Sequence, residues 1–474
     1  MPAITYQEFD GGLDRRLPIN VQQANKLWVL RNAYVTMGKR LKKRPGLVKE
    51  ATGLTGSYGL ESVSGRLKVF VDKGAVFTPP AAVDKIELDK PASAAGSAMT
   101  AVHWAEIFNG YVYAVNEYAN GARAHHYVDG GTTYITDVNC PNTISVTKAV
   151  ERIFAINGET VRYSAAGAPR DWTTANDAGF LPVGLRQGTK QGCTAVGTFQ
   201  DKLVVFFSES SQIWSVAVDP ASNNFIKRVP GIGIDDAPLS MDEFAQDLCF
   251  LSPYGVRSMT VAQNVDRIDD TDIGVPIDQL VVPDIATSAG QPDRVQTFGI
   301  WIHELGQYWL VFDGGASSHV WAYSFSRSSK IACWSEYTFP FKFTGIATQA
   351  GKVYLRTVDE LYSLSATAYI DDIHLIPVEV QMAFQDAKTP GVAKMFTGMD
   401  AVFEGSPSVA FKYDPRDQSK ETISQSISGD TRPGEFIPVE MVSPAIAPVF
   451  RHEADEAFEM DAVTLYYETL GITG

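Results

Sequence analysis

The sequence predicts a mainly β chain: a six- or seven-bladed β-propeller with a β-rich platform formed by both chain ends. Three observations carry this expectation. The first is a repeat in which a short turn leads into a strand that opens with a polar residue or glycine followed by an apolar or aromatic residue. It occurs as Arg66-Leu67-Lys68-Val69-Phe70, Gly110-Tyr111-Val112-Tyr113, Arg152-Ile153-Phe154-Ala155-Ile156, Lys202-Leu203-Val204-Val205-Phe206, Asp247-Leu248-Cys249-Phe250-Leu251, Gln307-Tyr308-Trp309-Leu310-Val311 and Lys352-Val353-Tyr354-Leu355. Anchored at 67, 111, 153, 203, 248, 308 and 353, the repeat recurs at intervals of 44, 42, 50, 45, 60 and 45 residues, the size of a propeller blade. A single unit of this kind cannot bury its own apolar face, so units stack radially and close into a ring. The second is composition: 45% hydrophobic and 11% aromatic residues with Gly 39 and Pro 25 suit short strands joined by tight turns. The third is turn chemistry, as in Ile156-Asn157-Gly158-Glu159 and Phe312-Asp313-Gly314-Gly315 between apolar runs.

In chain order, residues 1–50 fall outside the repeat and are assigned to the platform. Residues 22–37, with Ala24, Leu27, Trp28, Leu30, Ala33 and Tyr34, mix helical and strand periodicity. Gly38-Lys39-Arg40-Leu41-Lys42-Lys43-Arg44-Pro45-Gly46 is a basic run closed by a Pro-Gly turn. It reads as a solvated loop or strand edge, with a contact to an acidic partner or phosphate as the other reading. Residues 51–370 hold the repeats, and the 60-residue interval contains a long insertion at 266–292, rich in Asp, Pro and Gly. Residues 371–474 form the C-terminal part of the platform, with strands predicted at 378–384, 408–413 and 462–467 and a polar loop at 414–436.

A net charge of −15 argues against general affinity for nucleic-acid phosphates, yet suits a conduit through which DNA slides without sticking. Cys140, Cys193, Cys249 and Cys333 lie far apart without a CxxC pair and read as reduced, packed thiols. Residues 1–10 lack the basic start and apolar core of a signal peptide, and no run of about 18 apolar residues could span a membrane. The acidic run Asp266-Arg267-Ile268-Asp269-Asp270-Thr271-Asp272 could offer oxygen ligands to calcium, but lacks the glycine-centred spacing of a calcium loop and reads as a solvated insertion. His125 and His126 would point to opposite faces of a strand, which suits a surface strand or hairpin better than one shared metal. The tryptophans 28, 104, 172, 214, 301, 309, 321 and 334 lie in or beside predicted strands, where packing is the expected role.

Enzymatic readings find little support in the motifs. A sialidase-like site needs arginines converging on a carboxylate, a tyrosine nucleophile and an acidic partner. The segment Tyr163-Ser164-Ala165-Ala166-Gly167-Ala168-Pro169-Arg170-Asp171-Trp172-Thr173 resembles the turn repeated in sialidase blades, with Ala165 or Ala166 in place of its acidic residue. No nucleophile elbow, phosphate-binding loop or dinucleotide fingerprint stands at a strand-to-helix turn. The chain is therefore read as non-enzymatic, with no catalytic, cofactor or metal residue assigned.

Both ends carry a more specific signal. Phe9-Asp10-Gly11-Gly12-Leu13-Asp14-Arg15-Arg16-Leu17-Pro18, then Asn32-Ala33, then Leu41-Lys42-Lys43-Arg44-Pro45-Gly46, resembles the opening of tail proteins from short-tailed phages. The 164–172 segment and the late 450–467 stretch, with Ala454-Asp455-Glu456-Ala457-Phe458-Glu459 before a terminal strand, are similar too. The family is the podovirus tail nozzle, also called tail tubular protein B or phage stabilisation protein. The resemblance implies a propeller on a platform of both chain ends, a ring of six copies in the virion tail, assembly in the host cytoplasm, and contacts with an adaptor protein and with fibres, a needle or a plug. Genomic DNA would pass through the lumen without specific binding. Phe9, Arg15, Arg16, Lys39, Arg40, Lys42, Lys43 and Arg44 are the expected assembly contacts. The alternatives are a carbohydrate-active or receptor-binding propeller, sialidase-like or lectin-like, and a cellular interaction scaffold.

Overall fold

A computed structural model describes residues 2–173, 177–187, 191–264, 272–288, 297–429, 431 and 436–472. Seven blades follow in chain order. Blade one is Tyr58–Val63, Arg66–Asp72 and Val83–Leu88, and blade two is Met99–Phe108, Tyr111–Tyr118 and Arg123–Tyr127. Blade three is Val146–Ala149, Arg152–Asn157, Thr160–Tyr163 and Gly179–Leu181; blade four is Ala195–Phe199, Lys202–Phe206, Ser210–Ser215 and Asn224–Pro230. Blade five is Asp242–Phe244, Asp247–Ser252 and Gly255–Ser258; blade six is Phe298–Ile302, Gln307–Asp313, Ser318–Ser326 and Ile331–Phe339. Blade seven joins Gly345–Gln349, Lys352–Arg356 and Glu360–Ser365 to Gly46–Thr52, so its outermost strand comes from the start of the chain. The domain boundary drawn at 50 therefore cuts through a blade strand. The first strands of blades seven and one pack together and close the ring.

All seven repeat segments are the second strand of a blade. The second strand is flanked by strands on both edges and by blades on both faces, which explains the sustained apolar character. Six of the seven anchors are buried, and Tyr111 is the exception at 48% exposed. The preceding two-residue turns have both central residues at positive φ in blades one to five and seven, for example Ser64-Gly65, Asn109-Gly110 and Ala245-Gln246. This is the turn whose twist matches a hairpin. Separate apolar clusters fill the spaces between neighbouring blades, such as Phe154, Val161, Leu203 and Trp214 between blades three and four.

The long 248–308 interval holds the helix Asp278–Ser288 where a fourth strand of blade five would otherwise stand. The acidic run lies outside the described residues except Asp272, which is buried and accepts a hydrogen bond from the Ser258 N–H at 3.1 Å. Burial pushes its carboxyl up to about 7, partly offset by Arg257. The histidine pair departs from the surface reading. Their strand does direct them to opposite faces, but both are buried between blades: His125 contacts the Tyr113 hydroxyl at 2.8 Å, and His126 contacts Asn116 at 3.0 Å. Desolvation pulls them down to about 4 and about 3, so both are neutral at pH 7. The four cysteines are free thiols.

The platform is a sandwich of two sheets. One has the order Ile437–Ser443, Val392–Glu404, Glu459–Ile472, Leu41–Lys43 and Ala33–Val35, with Ala3–Gln7 also paired to Glu459–Ile472. The other continues blade six outward through Gly12–Leu13 and Lys26–Arg31 to Val378–Met382, Ala447–His452, Ser408–Lys412 and Gln425–Ser426. One core joins them: Leu27, Leu30, Val380 and Phe450 from the second sheet meet Tyr6, Phe396, Met399 and Leu465 from the first. Blade six and the platform thus share both a sheet and a core.

Candidate functional site

Of the segments that carry the resemblance, Phe9–Pro18, Asn32-Ala33, Leu41–Gly46 and the late 450–467 stretch converge where blade six enters the platform, whereas the 164–172 segment follows the third strand of blade three. Phe9 is fully buried in the shared core, and its N–H donates to the Lys39 carbonyl at 3.0 Å. Gly12 has φ +51°, and a Cβ there would stand 2.6 Å from the Cβ of Cys333, so the chain can cross blade six only with glycine at this point. Asp14, also buried, pairs with Arg16 at 2.6 Å and Lys26 at 2.8 Å. Burial alone would raise its carboxyl, but those two cations hold it below the ordinary value. Arg15 stacks on Trp28 at 3.8 Å, and its N–H donates to the Pro276 carbonyl. Desolvation pulls the guanidinium down to about 10.

The basic run is engaged within the subunit. Lys39 bridges Glu8 at 3.1 Å and Asp10 at 2.8 Å; Arg40 reaches Glu459 at 3.3 Å and Asp461 at 3.1 Å; Lys42 stands 3.9 Å from Glu459. Lys43 is buried and donates to the carbonyls of Ala454 and Glu456, tying the basic run to the late acidic loop. Burial and the adjacent Arg44 pull its ammonium down to about 8.

Arg44 is 1% exposed and satisfies its whole donor set. Its guanidinium grips Asp371 at 2.9 and 2.5 Å, donates to Asn32 Oδ1 at 3.0 Å, to the Thr338 carbonyl at 2.7 Å and to the Pro45 carbonyl at 3.1 Å, and lies 3.9 Å over the Phe339 ring. These partners come from the N-terminal segment, blade six and the chain leaving blade seven. Phe9, Lys43 and Arg44 thus have almost no surface for another molecule, a correction to their reading as contacts. Arg16, Lys39, Arg40 and Lys42 stay partly exposed as paired cations.

Sequence reasoning missed a second feature, a row of alternating charge across five adjacent strands. Glu336, Arg31, Glu379 and Arg451 stand opposite one another in register. Arg31 pairs with Glu336 at 3.3 Å and Glu379 at 3.2 Å; Arg451 pairs with Glu379 at 3.2 Å and holds Glu421 at 2.9 and 3.0 Å. At the propeller end, His319 lies 3.3 Å from both Asp284 and Glu336. The contact with Glu336 is ionic rather than an aligned hydrogen bond. Burial lowers the imidazolium, and the two carboxylates more than reverse this, raising it to about 9. Isolated surface pairs contribute little, but a part-buried network in strand register fixes the angle between the units.

The arginines that a sialidase-like site would bring together are held apart. Arg152 donates to the Ser164, Asp177 and Val218 carbonyls, Arg170 grips Asp129 and the Tyr127 carbonyl, Arg257 grips Asp278, and Arg356 donates to carbonyls of residues 54, 57 and 59. Each braces loops of its own neighbourhood.

No family model and no curated protein sequence matches the chain. Among solved structures, it is similar to the WD40 domain of Neurospora crassa Pan2, with 8% identity, coverage of 69% of this chain and 95% of that chain, and a TM-score of 0.37. It is also similar to the N-terminal domain of Nup159, at 9% identity over 68% of this chain and 95% of that one with a TM-score of 0.31. An exo-β-1,3-galactanase from Phanerochaete chrysosporium aligns at 10% identity over 90% of this chain and 100% of that one with a TM-score of 0.21. Likenesses this distant carry no weight for function; the chain is a β-propeller protein on the strength of its own sheet order and ring closure.

Proposed function

We propose that the chain is a structural subunit of a short-tailed phage tail nozzle, forming a ring that extends the tail tube and guides the exit of DNA. The observation that carries this reading is the interleaving of both chain ends into one sandwich continuous with blade six, in which three of the resembling segments, Phe9–Pro18, Leu41–Gly46 and the late acidic loop, meet. In this reading the propeller is a rigid peripheral module, and the platform makes the contacts between six copies and with the adaptor. The outward face of the sheet centred on Val392–Glu404 carries Asp400, Glu404, Glu440 and Glu468, while Arg40 is paired with its own acids. A lumen of that character repels phosphate and lets DNA slide.

Negative-stain microscopy and mass photometry of the purified chain test the proposal. Closed rings support it; a monomer at every concentration, together with hydrolysis of a surface polysaccharide or sialoside, replaces it with the carbohydrate-active reading. One observation favours that second reading as a lectin-like function: a groove of about 370 Å³ at the rim of blades three and four, lined by Phe180, Leu185, Arg186, Asn224 and Phe225.

A further inference from the structure

We propose that the central channel of the propeller is a binding site for a small organic ammonium ion, which the Glu61 carboxylate holds among aromatic side chains. The channel encloses about 680 Å³ at the end where the first strands of the blades begin, a size typical of small-molecule sites. Almost every charged group lining it is engaged by the protein itself. Arg356 donates to the carbonyls of Gly59, Leu54 and Ser57. Asp242 accepts from the N–H groups of Trp301 at 2.6 Å and Glu243 at 2.8 Å. Glu243 accepts from Thr198 at 3.2 Å and from the Gln200 N–H at 3.4 Å, and His103 stands 2.9 Å from Glu117.

Glu61 is different. Its Oε1 accepts only the adjacent Ser62 N–H at 3.0 Å, and it has no ion pair among the described residues. Lys68, opposite it in register, is 2.8 Å from Asp84 instead. Glu106 of blade two adds a second negative charge nearby and is itself paired with Lys148. Burial, with a contribution from Glu106, pushes the Glu61 carboxyl up to about 7. Asp242, which burial likewise pushes up to about 6, has no cation among the described residues either but accepts two backbone N–H groups, so Glu61 is the less satisfied of the two buried carboxylates.

Tyr58, Trp104 and Phe298 line the same channel. Aromatic rings and a carboxylate lining one cavity are the chemistry that recognises an alkylammonium group. One carboxylate is a poor ligand set for a hard metal ion, and no group of three His, Cys, Asp or Glu able to hold a metal occurs among the described residues. The ionised form of Glu61 is the binding form, so ligand and proton compete.

Isothermal titration of the full chain with n-butylammonium chloride and with tetramethylammonium chloride tests this. At pH 8 one site per chain is expected, with affinity falling roughly tenfold at pH 6 as Glu61 takes up its proton. Glu61→Gln should abolish binding, whereas Asp201→Asn, in an exposed turn, should leave it unchanged. Circular dichroism verifies that the variants are folded; should Glu61→Gln fail to fold, Trp104→Leu, which keeps the carboxylate, must weaken tetramethylammonium binding at least fivefold. Absence of binding at pH 8, binding retained by Glu61→Gln, or equal affinity at pH 6 and pH 8 overturns the proposal.

Discussion

Replacing Arg44 tests how the platform is fastened to the propeller. Arg44→Met keeps much of the aliphatic volume over Phe339 but removes the charge and every donor. It leaves the Asp371 carboxylate, 1% exposed, without its cation. The Thr338 and Pro45 carbonyls lose a donor as well, while Asn32 Oδ1 retains the Thr338 N–H at 2.9 Å. Breaking one side of a buried pair costs about 3–5 kcal/mol. Asp371→Asn should fall in the same range, because the guanidinium is then left with a neutral partner. Arg44→Lys should recover only part of the loss, since a single ammonium cannot reach acceptors arrayed around a planar fork. Urea denaturation followed by tryptophan fluorescence reads these changes, and the double variant Arg44→Met/Asp371→Leu should cost clearly less than the sum of the single changes. Single variants within about 1 kcal/mol of the parent, or a double-mutant cycle with no coupling, would refute the reasoning.

Other consequences are equally direct. His319 has a folded value of about 9 against an ordinary 6.5, so its contribution is fully present below 6.5 and is lost as pH rises through 9; His319→Ala should cost about 3 kcal/mol more at pH 6 than at pH 10, as measured by denaturation at the two pH values. Glu61 has the opposite sign: its folded value near 7 exceeds the ordinary 4.5, so the ionised carboxylate weakens the fold as pH rises from 4.5 to 7, and Glu61→Gln should be more stable than the parent by about 3 kcal/mol at pH 8 and equal to it at pH 4. Ala245 and Gln246 both occupy positive φ in an exposed turn; Ala245→Asn with Gln246→Gly supplies the residues this turn prefers and should raise stability by about 1 kcal/mol in thermal unfolding.

The repeat was legible because local physics writes it locally. A two-residue turn followed by a strand covered on both faces leaves the same short signature in every blade. Relations between distant residues leave no such mark. Nothing near Gly46–Thr52 announces that it pairs with Glu360–Ser365, and the parallel strand Val83–Leu88 of blade one lacks a hairpin signal. The basic run reads as solvated because Arg44 finds Asp371 at a separation of 327 residues and Arg40 finds Glu459 at 419. Adjacent His125 and His126 look polar and exposed until Tyr113, Thr143, Asn116 and Thr133 enclose them with hydrogen-bond partners. Glu61 looks like any strand glutamate; only the closed ring gives it a cavity and withholds a cation.

The most direct test of the nozzle account is a cryo-electron reconstruction of the assembled chain. The account predicts a ring of six copies with propellers at the periphery, platforms joined around the axis, and carboxylates such as Asp400, Glu404, Glu440 or Glu468 prevailing on the lumen wall. A lumen lined mainly by lysine and arginine, or contacts between copies made by the propellers with the platforms apart, would contradict it.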